Sequence, residues 1–296
     1  MPRFSQAVLI FNPSARHLQP RPLEKLRRVL DFLTSQGINV DMAPTSGPHD
    51  ASRLAQKSLA EGCELVIACG GDGTINEVIG GMAKSRVPLM IVPAGTANVL
   101  AKELGLPQDF AKSANLIKSG KIRRISLGKV NGHYFILMAG IGVDAGIIAS
   151  SNARLKRLLG EGAYWIAGFQ QLFRYPFPVF ELTVDGQSHR GSFAVISKAK
   201  NYGGPFQITS QADLFSNQFE VCLFQAASRW RYLYYLKSVA LGQHRILPDV
   251  KVLRGRKIAA LGAPEVKVQV DGELMGNLPQ NFSIEEDALS LVVPGD

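Results

Sequence analysis

Three glycines and an aspartate crowd one turn, Cys69-Gly70-Gly71-Asp72-Gly73-Thr74, with Asn76 and Glu77 just beyond. An apolar run, Glu64 to Cys69, precedes it, and a helix-like pattern from Thr74 to Ala83 follows. Strand, glycine turn and helix N-terminus together present backbone N–H groups and a partial positive charge to an anion. Glycines let a phosphate approach without interference from Cβ. Asp72 would repel a bare phosphate but suits one that carries Mg2+. A plain strand-to-helix turn with Thr74 as N-cap accounts for the same residues. Far along the chain, Val270-Asp271-Gly272-Glu273 sets two more carboxylates beside a turn. Val184-Asp185-Gly186 has the same local chemistry and is read as a hairpin turn only. Neither a P-loop nor a dinucleotide fingerprint occurs; Gly140, Gly142 and Gly146 miss the spacing. The five histidines lack metal-ligand spacing. Carboxylates and turn amides remain, and these are the means of phosphoryl transfer.

The elements that must position these groups alternate along the first part of the chain. Ala7–Phe11 reads as a buried strand that breaks at the turn Asn12, Pro13, Ser14, Ala15, Arg16. Pro22 opens a helix with Leu23, Leu26, Leu30 and Leu33 on one face, closed by Gly37. A strand at 38–43, the loop 45–50 containing Thr45, a helix at 51–60, the glycine-turn unit, a strand at 89–92, the loop 93–98 containing Thr96, and a helix at 99–104 follow. This alternation predicts an α/β domain with a parallel sheet, its four polar loops on the carboxyl edge where ligands bind. Beyond about residue 121 the pattern changes to hairpins, 122–130 with 133–138 and 179–184 with 192–197. An antiparallel β domain is expected there. Domains are therefore placed at 1–125 and 126–284. Two basic and aromatic helical stretches interrupt the second, at 152–174 and 229–237. The first reads as a helix packed on the β domain; for the second, packing and a lipid-interface role stand level.

The chain has 296 residues, 46% hydrophobic and 19% charged, with net charge +9. That composition is globular, and the basic excess favours anionic partners: nucleotide or an acidic membrane surface ahead of nucleic acid. Cys63, Cys69 and Cys222 read as buried free thiols of a reducing compartment. With no long apolar run and no signal-peptide profile, a cytoplasmic protein with peripheral membrane contact is expected. Self-association is left open.

Gly70 to Thr74 with Asn76 and Glu77 resembles the nucleotide loop of the diacylglycerol kinase catalytic-domain family, which includes sphingosine and ceramide kinases. Leu9-Ile10-Phe11-Asn12-Pro13-Ser14, Thr45 with Gly47 and His49, Pro93 to Asn98, Gly140 to Asp144, Tyr202-Gly203-Gly204 and Asp271-Gly272-Glu273 agree with it in order. The resemblance implies an NAD kinase/phosphofructokinase-like α/β domain, a β-sandwich domain, an active site in the cleft between them, and a last segment, about 285–296, that returns to the first domain. It implies an ATP-dependent lipid kinase acting on diacylglycerol or a sphingoid or ceramide-like alcohol. ATP then lies on Asn12 and Ser14 within the 12–16 turn, Thr45, Gly70, Gly71, Asp72, Gly73, Thr74, Asn76 and Thr96. Asp72 holds Mg2+, with Asp271 or Glu273 as a further ligand, and one of Asp271 and Glu273 is the base toward the acceptor hydroxyl. Two departures stand out. Val99 replaces an aspartate common in bacterial members, and Leu214-Phe215-Ser216-Asn217 replaces an Asp-Asp-Gly turn that holds a structural Mg2+, so that second metal site is expected to be lost or weak. An NAD kinase and a catalytically weak lipid- or nucleotide-binding regulator are the alternatives.

Overall fold

The computed structural model describes residues 4–143, 145–146, 175–201 and 206–295. Asp144, the segment 152–174 and Tyr202-Gly203-Gly204 lie outside these. The chain divides into two compact units, Met1–Leu127 with Glu285–Asp296, and Gly128–Ile284.

In the first unit β1 (Gln6–Phe11), α1 (Pro22–Ser35), β2 (Asn39–Pro44), α2 (Asp50–Ala60), β3 (Leu65–Gly70), α3 (Asp72–Met82), β4 (Pro88–Pro93), α4 (Val99–Glu103) and α5 (Phe110–Ser119) follow in order. The sheet runs β2-β1-β3-β4, all neighbours parallel. The end of the chain adds one more parallel strand, with Ser290 opposite Pro88 and Leu291 opposite Leu89. β3 and β4 are buried at every position, as continuous apolar runs covered on both faces must be, whereas β2 is a mostly exposed edge. On α1 the buried residues are Leu26, Val29 and Leu33, while Leu23 is 62% exposed. The inward stripe is rotated from the expected one, because Pro22 starts the helix with its first turn over solvent. α5 has no counterpart in the sequence reading. Its signal is local: Asp109 is the N-cap, its carboxylate accepting the Lys112 N–H at 2.9 Å.

The second unit begins within β5 (Lys121–Val130) and continues through β6 (His133–Phe135), β7 (Met138–Gly142), β8 (Phe180–Val184), β9 (Gln187–Gly191), β10 (Phe193–Ser197), β11 (Phe219–Phe224), α6 (Arg229–Ala240), β12 (Val250–Gly255), β13 (Lys257–Leu261), β14 (Lys267–Val270), β15 (Glu273–Asn277) and the first part of β16 (Gln280–Val293). One sheet has the order β12-β11-β10-β7-β14-β15, and β16, β13, β8 and β9 line up in another. Leu182, Ile258 and Phe282 from the second pack against Ile141, Ile196, Phe219 and Val268 from the first, which makes a β-sandwich core. Phe135 fills its centre, stacked on Phe219 and edge-on to Phe282. The partner of β8 is β9, not the 192–197 strand; β10 instead joins β7 and β11 in the other sheet. The expected single strand at 133–138 is also broken between Phe135 and Met138. The N–H groups of 136–138 are turned to a side chain instead of a ladder, as described below.

Candidate functional site

The strand order of the first unit reverses at β1, since β2 lies on one side and β3 on the other. Such a switch point opens a crevice at the carboxyl ends of the strands. The chain loops there are stitched by backbone hydrogen bonds. The N–H of Asn12 donates to the Cys69 carbonyl (3.1 Å), that of Thr45 to Phe11 (2.9 Å), that of Ala94 to Gly70 (2.8 Å), and that of His17 to Ala94 (3.0 Å). Asn12 Oδ1 accepts the Ser14 N–H at 2.9 Å, and its Nδ2 reaches Thr74 Oγ1 at 3.5 Å. The structure thus brings together the 12–16 turn, Thr45, Gly70 to Thr74 and the loop bearing Thr96. Ser14, Arg16, Gly73 and Thr96 are exposed at this edge; Asn12, Thr45 and Asn76 are half-buried, and Ala15 is buried.

Helix α3 starts two residues before the expected Thr74. Its N-cap is Gly71, without a side-chain cap, so Thr74 is inside the first turn and not the cap. The glycines divide by cause. A Cβ on Gly70 would stand 2.7 Å from Thr74 Cβ, so the turn's own fold requires that glycine; one on Gly95 would stand 2.5 Å from Gly71 Cα, so close packing of the two loops requires the second. A Cβ on Gly73 would meet nothing within 4 Å. Glycine inside a helix costs about 0.5–1 kcal/mol against alanine, and no contact within the described chain explains that cost at Gly73. Open space over uncapped first-turn N–H groups fits a phosphate group of a nucleotide.

Asp72 shares its carboxylate between two tasks. Oδ1 accepts the Val99 N–H at 2.7 Å and the Leu100 N–H at 3.4 Å, capping α4. Oδ2 has no hydrogen-bond partner among the described residues and remains for a cation. No group of three or more His, Cys, Asp or Glu suited to a metal occurs among the described residues. A single carboxylate oxygen still fits Mg2+ that arrives on phosphates, because Mg2+ keeps waters and takes only one or two protein carboxylates in such sites. Val99, which carries no side-chain oxygen, enters this network only through its backbone N–H. Two residues, one from each of the 70–77 and 93–98 stretches, have positioning roles that spacing did not reveal. Glu77 accepts the His49 N–H (2.9 Å) and the Ala51 N–H (3.2 Å), capping α2, and buried Asn98 ties its loop through the Gly95 N–H at 2.9 Å.

In the second unit, Asp271 and Gly272 have φ of 48° and 87°, a two-residue turn between β14 and β15. The Asp271 carboxylate accepts three backbone N–H groups, from Ile136 at 2.9 Å, Leu137 at 3.0 Å and Met138 at 2.8 Å. Those bonds interrupt the 133–138 strand. Asp185 behaves alike: its turn has the same backbone signs, and its carboxylate accepts the N–H groups of Arg256 (3.1 Å) and Lys257 (2.8 Å). Glu273 differs from both: it is exposed, its backbone pairs with Val270, and its carboxylate has no hydrogen-bond or ionic partner among the described residues.

The residues in place of the Asp-Asp-Gly turn do not fit a second Mg2+. Lys198, fully buried, donates from Nζ to the Ser216 carbonyl, and Asp213 accepts the Phe215 N–H at 2.9 Å. Burial lowers the Lys198 pKa to about 8, with Asp213 pulling it partly back. The Ser216 carbonyl, an oxygen of the kind a cation would take, is thus already engaged by Lys198. The three cysteines are free and buried, and burial pushes Cys69 and Cys222 up to about 12, which removes them as nucleophiles.

An α/β unit with an anion-ready sheet edge and a β-sandwich unit carrying an uncommitted carboxylate are the parts of a two-domain phosphotransferase. Residues 6–130 match the diacylglycerol kinase catalytic domain, and residues 138–293 match the YegS C-terminal NAD kinase beta sandwich-like domain. The chain belongs to this diacylglycerol kinase catalytic-domain family and is a lipid kinase. It is 29% identical to the diacylglycerol kinase of Staphylococcus saprophyticus over 98% of this chain and 96% of that one. It is 28% identical to the diacylglycerol kinase of Bacillus subtilis over 94% and 92%. A crystal structure of a putative diacylglycerol kinase from Bacillus anthracis, 22% identical, has the same fold, with a TM-score of 0.82 over 99% of this chain and 96% of that one. Among the described residues no helix is long and apolar enough to cross a membrane.

Proposed function

We propose that this kinase transfers the γ-phosphoryl group of ATP, with Mg2+, to a hydroxyl of a membrane lipid. Diacylglycerol is the first candidate acceptor, because the curated relatives bear that name; a sphingoid or ceramide-like alcohol is the second. Residues 1–125 bind nucleotide, with 285–296 returning to them, and residues 126–284 serve the lipid. The observation that carries this reading is Gly73 over the uncapped start of α3, at the switch point of the sheet. The first-turn N–H groups, Asn12, Thr45 and Thr96 hold and align the donor, and alignment supplies much of the catalysis. Asp72 Oδ2 would hold Mg2+, which supplies charge neutralisation on the phosphates when bound. Glu273 takes the acceptor proton as the hydroxyl attacks, and Asp271 holds the turn that presents it. The enzyme works in the cytoplasm and meets the membrane only peripherally.

Incubation of the purified chain with γ-labelled ATP, Mg2+ and separate samples of diacylglycerol, sphingosine, ceramide and NAD tests the reading. Label in a lipid product that disappears in Glu273→Gln is the expected result. Label in NADP alone would make it an NAD kinase. Nucleotide binding with no labelled product from any acceptor would make it a regulator.

A further inference from the structure

Helix α6 is held by one face and leaves the other bare. Tyr232, Tyr235, Ser238 and Val239 are buried. The Tyr232 ring lies 5.5 Å from Phe177 and 5.8 Å from Phe193, and Tyr235 lies 4.8 Å from Phe224. Asp249 locks the helix in place: it accepts Arg231 through both oxygens, at 2.7 and 2.6 Å, and the Tyr235 hydroxyl at 2.7 Å. The Arg231 guanidinium in turn covers the Tyr234 ring at 4.8 Å.

The outer face has another character. Trp230, Tyr234, Lys237 and Leu241 recur at intervals of four, three and four residues, a single stripe on a helix. Trp230 is 70% exposed, Tyr234 45% and Leu241 58%, and Leu236 and Ile246 flank them at 41% and 81%. A groove of about 410 Å3, lined by Tyr175, Pro176, Phe177 and Trp230 among others, extends this surface at the start of the helix. From Val221 to Pro248 the sequence has no Asp or Glu. Arg231 and Arg245 are engaged by Asp249 and Glu220. Arg229 and Lys237 have no carboxylate partner among the described residues, so the helix itself brings two uncommitted cations and no acidic residue; the one carboxylate charge felt at the groove is that of Glu265, acting on Tyr175.

We propose that this outer face of α6, with Leu241 and Ile246, is the surface on which the enzyme docks to an anionic bilayer. Trp and Tyr beside Lys and Arg is the residue set that sits at a lipid headgroup boundary. A protein partner would meet Lys237 in the middle of the stripe, where interface cores are depleted of lysine. The absence of carboxylates over the whole segment matches a negative lipid surface. Docking gives a soluble kinase its access to a bilayer substrate, but binding itself is read without nucleotide or turnover, so it stands or falls separately from the proposed chemistry.

The test uses the full chain and vesicles of phosphatidylcholine with or without 30% phosphatidylglycerol. In Trp165→Phe the remaining tryptophan is Trp230. Its emission should shift to the blue on anionic vesicles and be quenched by brominated acyl chains. Sedimentation with vesicles, which needs no tryptophan change, should fall at least tenfold in Trp230→Ala/Ile246→Ala, and several-fold in Arg229→Gln/Lys237→Gln with loss of its salt dependence. The melting temperature should stay unchanged, because these side chains are exposed. Unaltered vesicle binding in both double variants overturns the proposal, as does Trp230 emission that ignores lipid. A dimer that Trp230→Ala dissolves would overturn it in favour of a second copy.

Discussion

Replacing Asp271 by asparagine separates holding the turn from doing chemistry. The carboxylate takes three N–H groups at 2.8–3.0 Å, two on Oδ1 and one on Oδ2. Asparagine keeps one carbonyl oxygen, so either flip of the amide points an NH2 group at one or more of those donors. A hydrogen bond to a charged group contributes about 1.5–3 kcal/mol and a neutral one about 0.5–1.5, while a buried donor left unpaired costs about 1–3 kcal/mol. Two weakened bonds and one orphaned N–H, discounted for partial burial, come to about 2–4 kcal/mol. For a unit of this size that is a melting-point drop on the order of 10 °C. Glu273→Gln touches no bond of the fold and should melt within about 1 °C of the parent. A lost general base lowers turnover by about 100- to 10,000-fold. Scanning calorimetry and single-turnover phosphorylation of a short-chain diacylglycerol, both well below the melting point, should show Asp271→Asn unstable and partly active, Glu273→Gln stable and inactive. Asp185→Asn is the internal control, with a similar stability loss and full turnover per folded molecule. An Asp271→Asn enzyme that melts normally yet is dead, beside an active Glu273→Gln, would refute the assignment.

Asp72→Asn keeps an acceptor for the Val99 N–H, so its melting point should hold while Mg2+-dependent turnover falls at least 100-fold; unchanged turnover would remove Asp72 from the metal. Asp72→Ala should in addition lose about 1 kcal/mol in urea unfolding, the usual worth of a helix cap. For Lys198 the folded pKa of about 8 lies below its ordinary 10.5, so the unfolded chain binds the extra proton between those values and stability rises with pH across that window. Measured against Lys198→Met, the parent should gain on the order of 3 kcal/mol from pH 8 to 10.5 in urea unfolding, and a flat difference would refute the burial-lowered pKa, since the folded lysine would then hold its proton as tightly as the unfolded one. In the absence of nucleotide, Mg2+ or chelator should leave the melting point of the parent unmoved.

The first unit is legible because β1, β3 and β4 are continuous apolar runs closed by Asn12, Gly70 and Pro93, and strand–helix alternation puts every strand-end loop on one edge. The β-sandwich was harder to read. β9, Gln187–Gly191, has an exposed polar face and no apolar alternation, so by pattern alone the more hydrophobic β10 is the apparent partner of β8. At 136–138 a strand pattern yields to three N–H bonds made by a residue more than 130 positions away, which no local window contains. α5 is marked in the sequence only by the Asp109 cap and by the apolar Ala114, Leu116 and Ile117. Of the site, residue types and order revealed which side chains gather, but not how their oxygens are used. Lys198 gave no signal at all, since a single lysine in sequence is read as a surface group.

Oxygen use is what separates the carboxylates. Asp72, Glu77, Asp185 and Asp271 each accept backbone N–H groups from a distant segment, and each thereby fixes a loop or helix start. A carboxylate so engaged has few lone pairs left for a proton or a metal. Asp72 retains one oxygen, enough for an ion delivered on phosphate. Glu273 retains both, and it follows a turn that Asp271 holds rigid. Local motif similarity between Asp185-Gly186 and Asp271-Gly272 therefore reflects the same structural device used twice. Under the proposed function, what distinguishes the second case is the residue after the glycine: Gln187 follows Gly186 and can orient but not ionise, whereas Glu273 follows Gly272 and is the carboxylate assigned there the proton that a lipid hydroxyl must lose.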